Sequence, residues 1–479
     1  MSALAQPAAA AAPRLAGPAI LVATIALAAL AGPLIAAVDG MLSLGLVALP
    51  LFLAIAVRPE FGAWLYLLAT PLIVGIARDS VMPILRPNEA LLILILGALG
   101  ARIVALSLAG RPWRPQLDRI DLALVVLATT SSILPLLLRY GRGLPISADD
   151  VLYAVVLWKY YLVYRLFREA VTTPAQVGVC LWVAMVAAAL VAMVAILQVL
   201  GIFGVPQFLW AYYDVPFAGR TGLVTERGTS TIASSFGVAD MMAMTLAIVL
   251  AWLPAQPRPR RLILIAAGGL FVLGCIAAGQ FSGVIGLAVA VLAVGLVTGR
   301  LRPILGLLVP VALIGTIAFW SVIETRLMGF DSSAGLPASW VGRIDNLQRF
   351  VWPELSSGVN WLVGVRPAAR VPAPEGWRTW VFIESGYAWL LWTGGLPMLA
   401  AFIGFVWVAL RRLGQVVRRH GTEPVGVAAT AAFAGLVLIA TLMLFDPHLT
   451  MRGSADLFFP LLALALAATA GRLASEAKP

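Results

Sequence analysis

Residues 174–200 read PAQVGVCLWVAMVAAALVAMVAILQVL, without a single Asp, Glu, Lys or Arg. A helix of that length crosses a hydrocarbon core of ~30 Å. Working outward from it, apolar runs of about 17 to 25 residues recur along the chain, about fourteen in all. They fall near 16–38, 41–57, 61–77, 88–108, 120–138, 150–167, 174–200, 237–254, 261–279, 281–298, 300–320, 384–410, 424–445 and 455–472. Composition agrees: 61% of the 479 residues are hydrophobic and only 11% charged, which excludes an ordinary soluble domain. Lipid supplies no water for open backbone groups, so the expected fold is all-α, a polytopic membrane helical bundle. The runs at 41–57 and 281–298 are short enough to be tilted or half-inserted.

Charge then orients the bundle, because short cytoplasmic loops carry an excess of Lys and Arg. With the N-terminus inside, the inner loops hold Arg58, the cluster Arg111, Arg114 and Arg119, then Arg165, Arg168, Arg258, Arg260, Arg261, Arg300, Arg302, Arg411, Arg412, Arg418 and Arg419. Both termini come out cytoplasmic. Residues 1–15, Ala- and Pro-rich around Arg14, read as a disordered lead-in, since the run that follows is span-length and another follows at once. The bundle then occupies 16–320, with an outer connection at 201–236; a long outer loop covers 321–383, C-terminal spans 384–472, and a cytoplasmic tail 473–479. The net charge of +11 is a topology signal, and nucleic acid is not needed to explain it. Cys180 and Cys275 lie inside apolar runs, which argues against a disulfide framework or thiolate metal site.

The outer connections nevertheless keep Arg220, Arg227, Arg326, Arg343, Arg349, Arg366, Arg370 and Arg378. Each alone reads as solvated charge; together they favour an anionic ligand, and the planar guanidinium fork suits diphosphate. Within the long loop, Trp340–Leu355 (WVGRIDNLQRFVWPEL) has helical spacing with Ile344, Leu347 and Phe350 on one side, predicting a short amphipathic helix that ends near Pro353. It either lies on the headgroups, anchored by Trp340, Trp352 and Trp361, or forms a lid presenting Arg343 and Asp345 to a cavity. Two junctions flank this face. Residues 227–242 read RGTSTIASSFGVADMM, with Asp240 about a turn inside a span, and 383–396 read IESGYAWLLWTGGL, with Glu384 at the mouth of the next. An acid at the edge of low dielectric can serve as a general base, or simply face a helix N-terminus. Asp240 and Lys159 are intramembrane charges, hence functional candidates or bundle-stabilising polar contacts.

These motifs, namely Arg-Gly-Thr-Ser-Thr opening a span, Gly-Arg-Ile-Asp-Asn-Leu and Leu-Val-Gly-Val in the long loop, and Glu-Ser-Gly-Tyr-Ala-Trp-Leu-Leu-Trp-Thr-Gly-Gly-Leu after it, resemble the O-antigen ligase and polysaccharide polymerase superfamily, which includes the Wzy-type exopolysaccharide polymerases. The likeness covers about 220 to 410 by motif and the remainder by hydropathy. It implies a metal-independent, inverting glycosyltransferase of the bacterial inner membrane, without a cofactor, acting on the periplasmic face. The donor would be a glycan on undecaprenyl diphosphate and the acceptor a polysaccharide sugar, with a chain-length regulator as a further partner. By motif position Arg227 and Arg343 would hold the diphosphate and Glu384 would activate the acceptor, with Tyr387 following. Arg220, Arg349, Arg366, Asp345 and Asp240 complete the candidate substrate-binding set.

Three departures matter. Histidine is missing from the acceptor-activating position, His420 being placed inside and His448 in a later outer loop; that favours a polymerase over a histidine-dependent ligase. Gln280-Phe281 stands where the family has Ser-Arg. Gly364-Val365-Arg366 replaces Gly-Val-Gly, so Arg366 is a candidate for the missing charge. The rival from another class, a lipid-linked oligosaccharide flippase, fits less well: no repeat relates the halves, and few charges lie mid-span.

Overall fold

The computed structural model describes residues 40–77, 85–111, 113, 115–215, 227–318, 336–373 and 380–467, with positions 320, 324, 328, 330 and 331 besides. The first apolar run, the N-terminal lead-in, the C-terminal tail and Arg114, Arg220, Arg326 and Arg378 lie outside the described residues.

The chain forms α1 Gly40–Val57, α2 Pro59–Ile73, α3 Pro87–Leu108, α4 Arg119–Gly141, a short α5 Ala148–Ala154, α6 Val156–Ala170 and α7 Pro174–Leu200. After α8 Val205–Tyr212 come α9 Ser235–Trp252, α10 Arg258–Ala277, α11 Phe281–Thr298 and α12 Leu301–Ala318. The long loop holds a two-residue pair, β1 Phe330–Asp331 and β2 Leu336–Pro337, then α13 Ala338–Asn346, α14 Trp352–Ser356, α15 Asn360–Val363, and the antiparallel pair β3 Arg370–Pro372 and β4 Trp380–Phe382. Last come α16 Gly386–His420, α17 Pro424–Leu442 and α18 Ser454–Leu464.

Among the described residues eight helices are long and apolar enough to cross a membrane: α3, α4, α7, α9, α10, α11, α16 and α17. The fold is therefore an all-α bundle of multi-pass membrane type. α9 and α17 are its centre, with 89% and 78% of their spanning windows buried, against 22% for the peripheral α3. Side-chain caps start the helices where the sequence changes from loop to span. Asp118 accepts from Ile120 N–H and Asp121 N–H at the head of α4, Ser234 caps α9, and Ser385 caps α16.

Two expected elements differ. The apolar run at 150–167 is broken at Val155 into α5 and α6. The amphipathic helix does not stop at Pro353: Leu347–Val351 forms a π-helical turn and α14 continues through Pro353, which sits in the first turn, where a missing N–H costs nothing.

The helix ends sort into two groups. At one end Thr231 Oγ1 donates to Pro71 O (2.9 Å), Gln198 Nε2 to Thr229 Oγ1 (3.0 Å), Gly228 N–H to Ala277 O (2.8 Å) and Arg142 to Asn360 Oδ1 (2.9 Å). Both long polar connections emerge there. At the opposite end Arg102 donates to the carbonyls of Ala56 and Val57, and Arg165 to that of Gln116. Chain alternation puts Arg258, Arg260, Arg261, Arg300, Arg302 and the four arginines of the last turns of α16 there too.

Candidate functional site

The polar end is built by three stretches far apart in sequence. The first, 228–234, is buried and heavily hydrogen-bonded: Gln198 Oε1 accepts from Ser230 N–H (2.8 Å) and Ser230 Oγ donates to Val191 O (2.8 Å). It delivers Phe236 and Asp240 on the first turns of α9. A β-carbon at Gly237 would collide with the Arg452 carbonyl, so glycine lets α9 dock against the second stretch, the turn 443–453 between α17 and α18. The third is the long loop, fixed to α16 at a kink. Gly395, with φ 64, interrupts α16 ahead of Pro397, and the Trp392 carbonyl accepts instead from Val365 N–H (2.7 Å). Thus Leu362-Val363-Gly364-Val365 and Trp392-Thr393-Gly394-Gly395, two of the motifs singled out in the sequence, meet in space.

Where the stretches converge, Arg343 on α13 lies 2.8 Å from Asp446 Oδ2 through Nη1 and 3.9 Å from Glu384 Oε1 through Nε. Nη1 also donates to the Phe445 carbonyl (3.3 Å), and Asn346 Nδ2 donates to Glu384 Oε2 (3.4 Å). The guanidinium stands 5.9 Å from the Phe236 ring centroid, and that ring meets His448 edge-on at 6.1 Å. His448 Nδ1 is 2.6 Å from Asp240 Oδ2, both side chains being buried. Trp340 packs on Phe445, so it belongs to this cluster.

Asp446 Oδ2 is held by Arg343 Nη1 in a buried ion pair at 2.8 Å, and His448 Nε2 makes no hydrogen bond among the described residues. Burial raises the Asp446 carboxyl above its usual range, against the pull of Arg343 and His448. Burial alone would lower His448, but Asp240 and Asp446 hold it above its ordinary value. Glu384 is the most accessible of the acids here, about a third exposed, immediately before the Ser385 cap. Arg343 Nη2 makes no hydrogen bond among the described residues. A donor and a partly exposed acid therefore lie side by side.

Other candidates lie elsewhere. Arg366 is clasped by the fully buried Asp150, Nε and Nη2 at 2.8 and 2.9 Å, and by Ser147 Oγ at 2.9 Å. It is a fastener between the long loop and α5, not a replacement charge beside Arg343. Arg349 and Asp345 form an exposed pair at 2.7 Å, so Asp345 is not presented to the cluster with Arg343. Tyr387 donates from its hydroxyl to Ala440 O (2.7 Å), tying α16 to α17. Arg227 is half-buried at the head of the first stretch, and no contact joins it to Arg343 or Glu384 among the described residues. Gln280, just before α11, donates from Nε2 to Ser235 Oγ, while Lys159 stacks over Tyr160.

Sequence reasoning missed Asp446 and Phe236 and set His448 aside. The available signal was Asp446-Pro447-His448, two titratable groups at the break between apolar runs. Beyond the cluster an open groove of about 700 Å³ is lined by Gln348, Trp352, Trp361 and Leu391. No protein-family model matches the chain, and no curated protein is similar to it.

Proposed function

We propose that the chain is a membrane-embedded glycosyltransferase that polymerises lipid-linked glycan repeat units in the bacterial inner membrane, its reaction centre at the polar, periplasmic end of the bundle. One observation carries the reading: Arg343 from the long loop and Glu384 from the mouth of α16, singled out separately in the sequence, lie 3.9 Å apart over a buried aspartate. The larger count of about fourteen spans, with both termini cytoplasmic, belongs to the same proposal. So do undecaprenyl-diphosphate-linked oligosaccharide as donor and a polysaccharide as acceptor.

In this reading the acceptor hydroxyl attacks the anomeric carbon from the face opposite the diphosphate. The new C–O bond forms as the bond to the diphosphate oxygen breaks, with inversion. Glu384 takes the hydroxyl proton, and the Nη2 donors of Arg343 receive the charge that develops on the leaving diphosphate. Asp446 and Phe445 O hold the guanidinium in place. Trp352 and Trp361 offer flat apolar faces to sugar rings or to the lipid chain.

A second reading, transfer of the glycan to a lipid acceptor in the manner of a ligase, is favoured by His448, which is distant in sequence but in the cluster. Purified protein given lipid-linked repeat units separates the alternatives. Lengthening chains support polymerisation, and product only on added lipid acceptor supports ligation. Substrate that merely changes leaflet would establish a flippase and end the proposal.

A further inference from the structure

At the end of the bundle opposite Glu384, the last turns of α16 run beside α11 and α17 and leave an open groove of about 650 Å³. Its walls are apolar, Leu296 from α11 and Phe433 and Val437 from α17, and its rim carries Arg411 and Arg418. Trp407, Arg411, Gly414 and Arg418 recur at helical spacing, so they form one stripe along α16. The Arg411 guanidinium lies 4.0 Å from the Trp407 ring centroid. A β-carbon at Gly414 would meet only the Arg418 guanidinium, at 3.8 Å, so glycine leaves the floor between the two arginines open. Neither arginine has a carboxylate partner among the described residues, whereas His420 on the same turns is paired with Glu423.

We propose that this groove binds an anionic glycerophospholipid of the surrounding bilayer, its phosphate between Arg411 and Arg418 and its acyl chains along Leu296, Phe433 and Val437. Three features select this occupant. Two arginines seven residues apart on one helix face, without a carboxylate partner among the described residues, match a phosphate. The walls beneath them suit hydrocarbon. The groove lies among the basic helix ends of a membrane bundle, where basic pockets between helices meet anionic headgroups. The site is independent of the reaction centre, and stands whichever glycan reading holds.

Native mass spectrometry of the full chain, stripped with detergent and titrated with phosphatidylglycerol or phosphatidylcholine, tests it. The parent should retain one phosphatidylglycerol per chain and lose phosphatidylcholine. R411Q/R418Q should weaken retention about 30-fold, the worth of two arginines against an anionic headgroup. R412Q/R419Q removes equal charge from the same turns and should leave retention unchanged. Gly414→Leu, which fills the floor and keeps both charges, should reproduce the loss independently. Equal retention of the two lipids, or equal loss in both double variants, would overturn the proposal. So would a dimer that carries no lipid and dissociates in R411Q/R418Q, since the occupant would then be a second copy.

Discussion

Arg343 and Arg366 both come from the long loop and both face an aspartate at the same end of the bundle, yet their surroundings are opposite. Asp150 accepts from Arg366 Nε and Nη2, from the Ser147 N–H and hydroxyl and from the Ala368 N–H. Burial would raise its carboxyl, but these donors, Arg366 foremost, hold it below the usual range. Asp446 is also buried, has Arg343 as its one ion-pair partner among the described residues, and is raised by burial. A satisfied pair fixes a loop. A pair with fewer partners leaves, among the described residues, an arginine with Nη2 donors to spare and an acid beside it, the condition for meeting a charged substrate.

The largest expected effect is at Arg343. Arg343→Ala removes the only guanidinium facing both acids among the described residues and should lower polymer formation by about 10³-fold or to background, with protein still in the membrane. Polymer of normal amount and length in that variant would make the cluster structural. Glu384→Gln keeps shape and loses the proton acceptor, so a fall of about 10²-fold is expected; an unchanged rate would leave Glu384 as a helix-end charge.

pH separates the two pairs by sign. His448 is raised above its ordinary 6.5, so its contribution to stability is complete below that value and is lost as pH rises through the raised folded one. Asp446, also raised, acts in the same direction. Asp150 is lowered, so its contribution is present above its ordinary 3.8 and is lost as pH falls through the lowered folded value. Thermal unfolding in detergent should therefore show an alkaline slope that Asp240→Asn reduces and an acid slope that Asp150→Asn abolishes. A shared slope would erase the distinction.

Arg366→Ala leaves a buried aspartate without its partner and should cost about 3 kcal/mol of stability, with polymer formation retained below the lowered unfolding temperature. Arg349→Ala breaks a pair whose arginine side chain is 69% exposed. Solvent screens such a pair, so both stability and rate should be nearly unchanged.

Eight of the spans were legible because lipid forces long uncharged runs, and Arg343 and Glu384 because charges at the mouths of such runs stand out. The helix through Pro353 was misread because proline is tolerated in a first turn. Arg366 was misassigned because its partner Asp150 opened a run read as one span, 150–167, whose break at Val155 has neither proline nor glycine to mark it. Asp446 and His448 were passed over because a short turn holds them about a hundred residues from Arg343. Only packing of the turn 443–453 against Gly237 and α13 brings them to it.

The most direct measurement is polymer formation from lipid-linked repeat units by purified Arg343→Ala and Arg366→Ala, at equal folded protein and at a temperature where both are stable. No polymer from the first and polymer at near the parent rate from the second is the predicted result. Polymer from Arg343→Ala with none from Arg366→Ala would contradict it and move the reaction centre to Asp150.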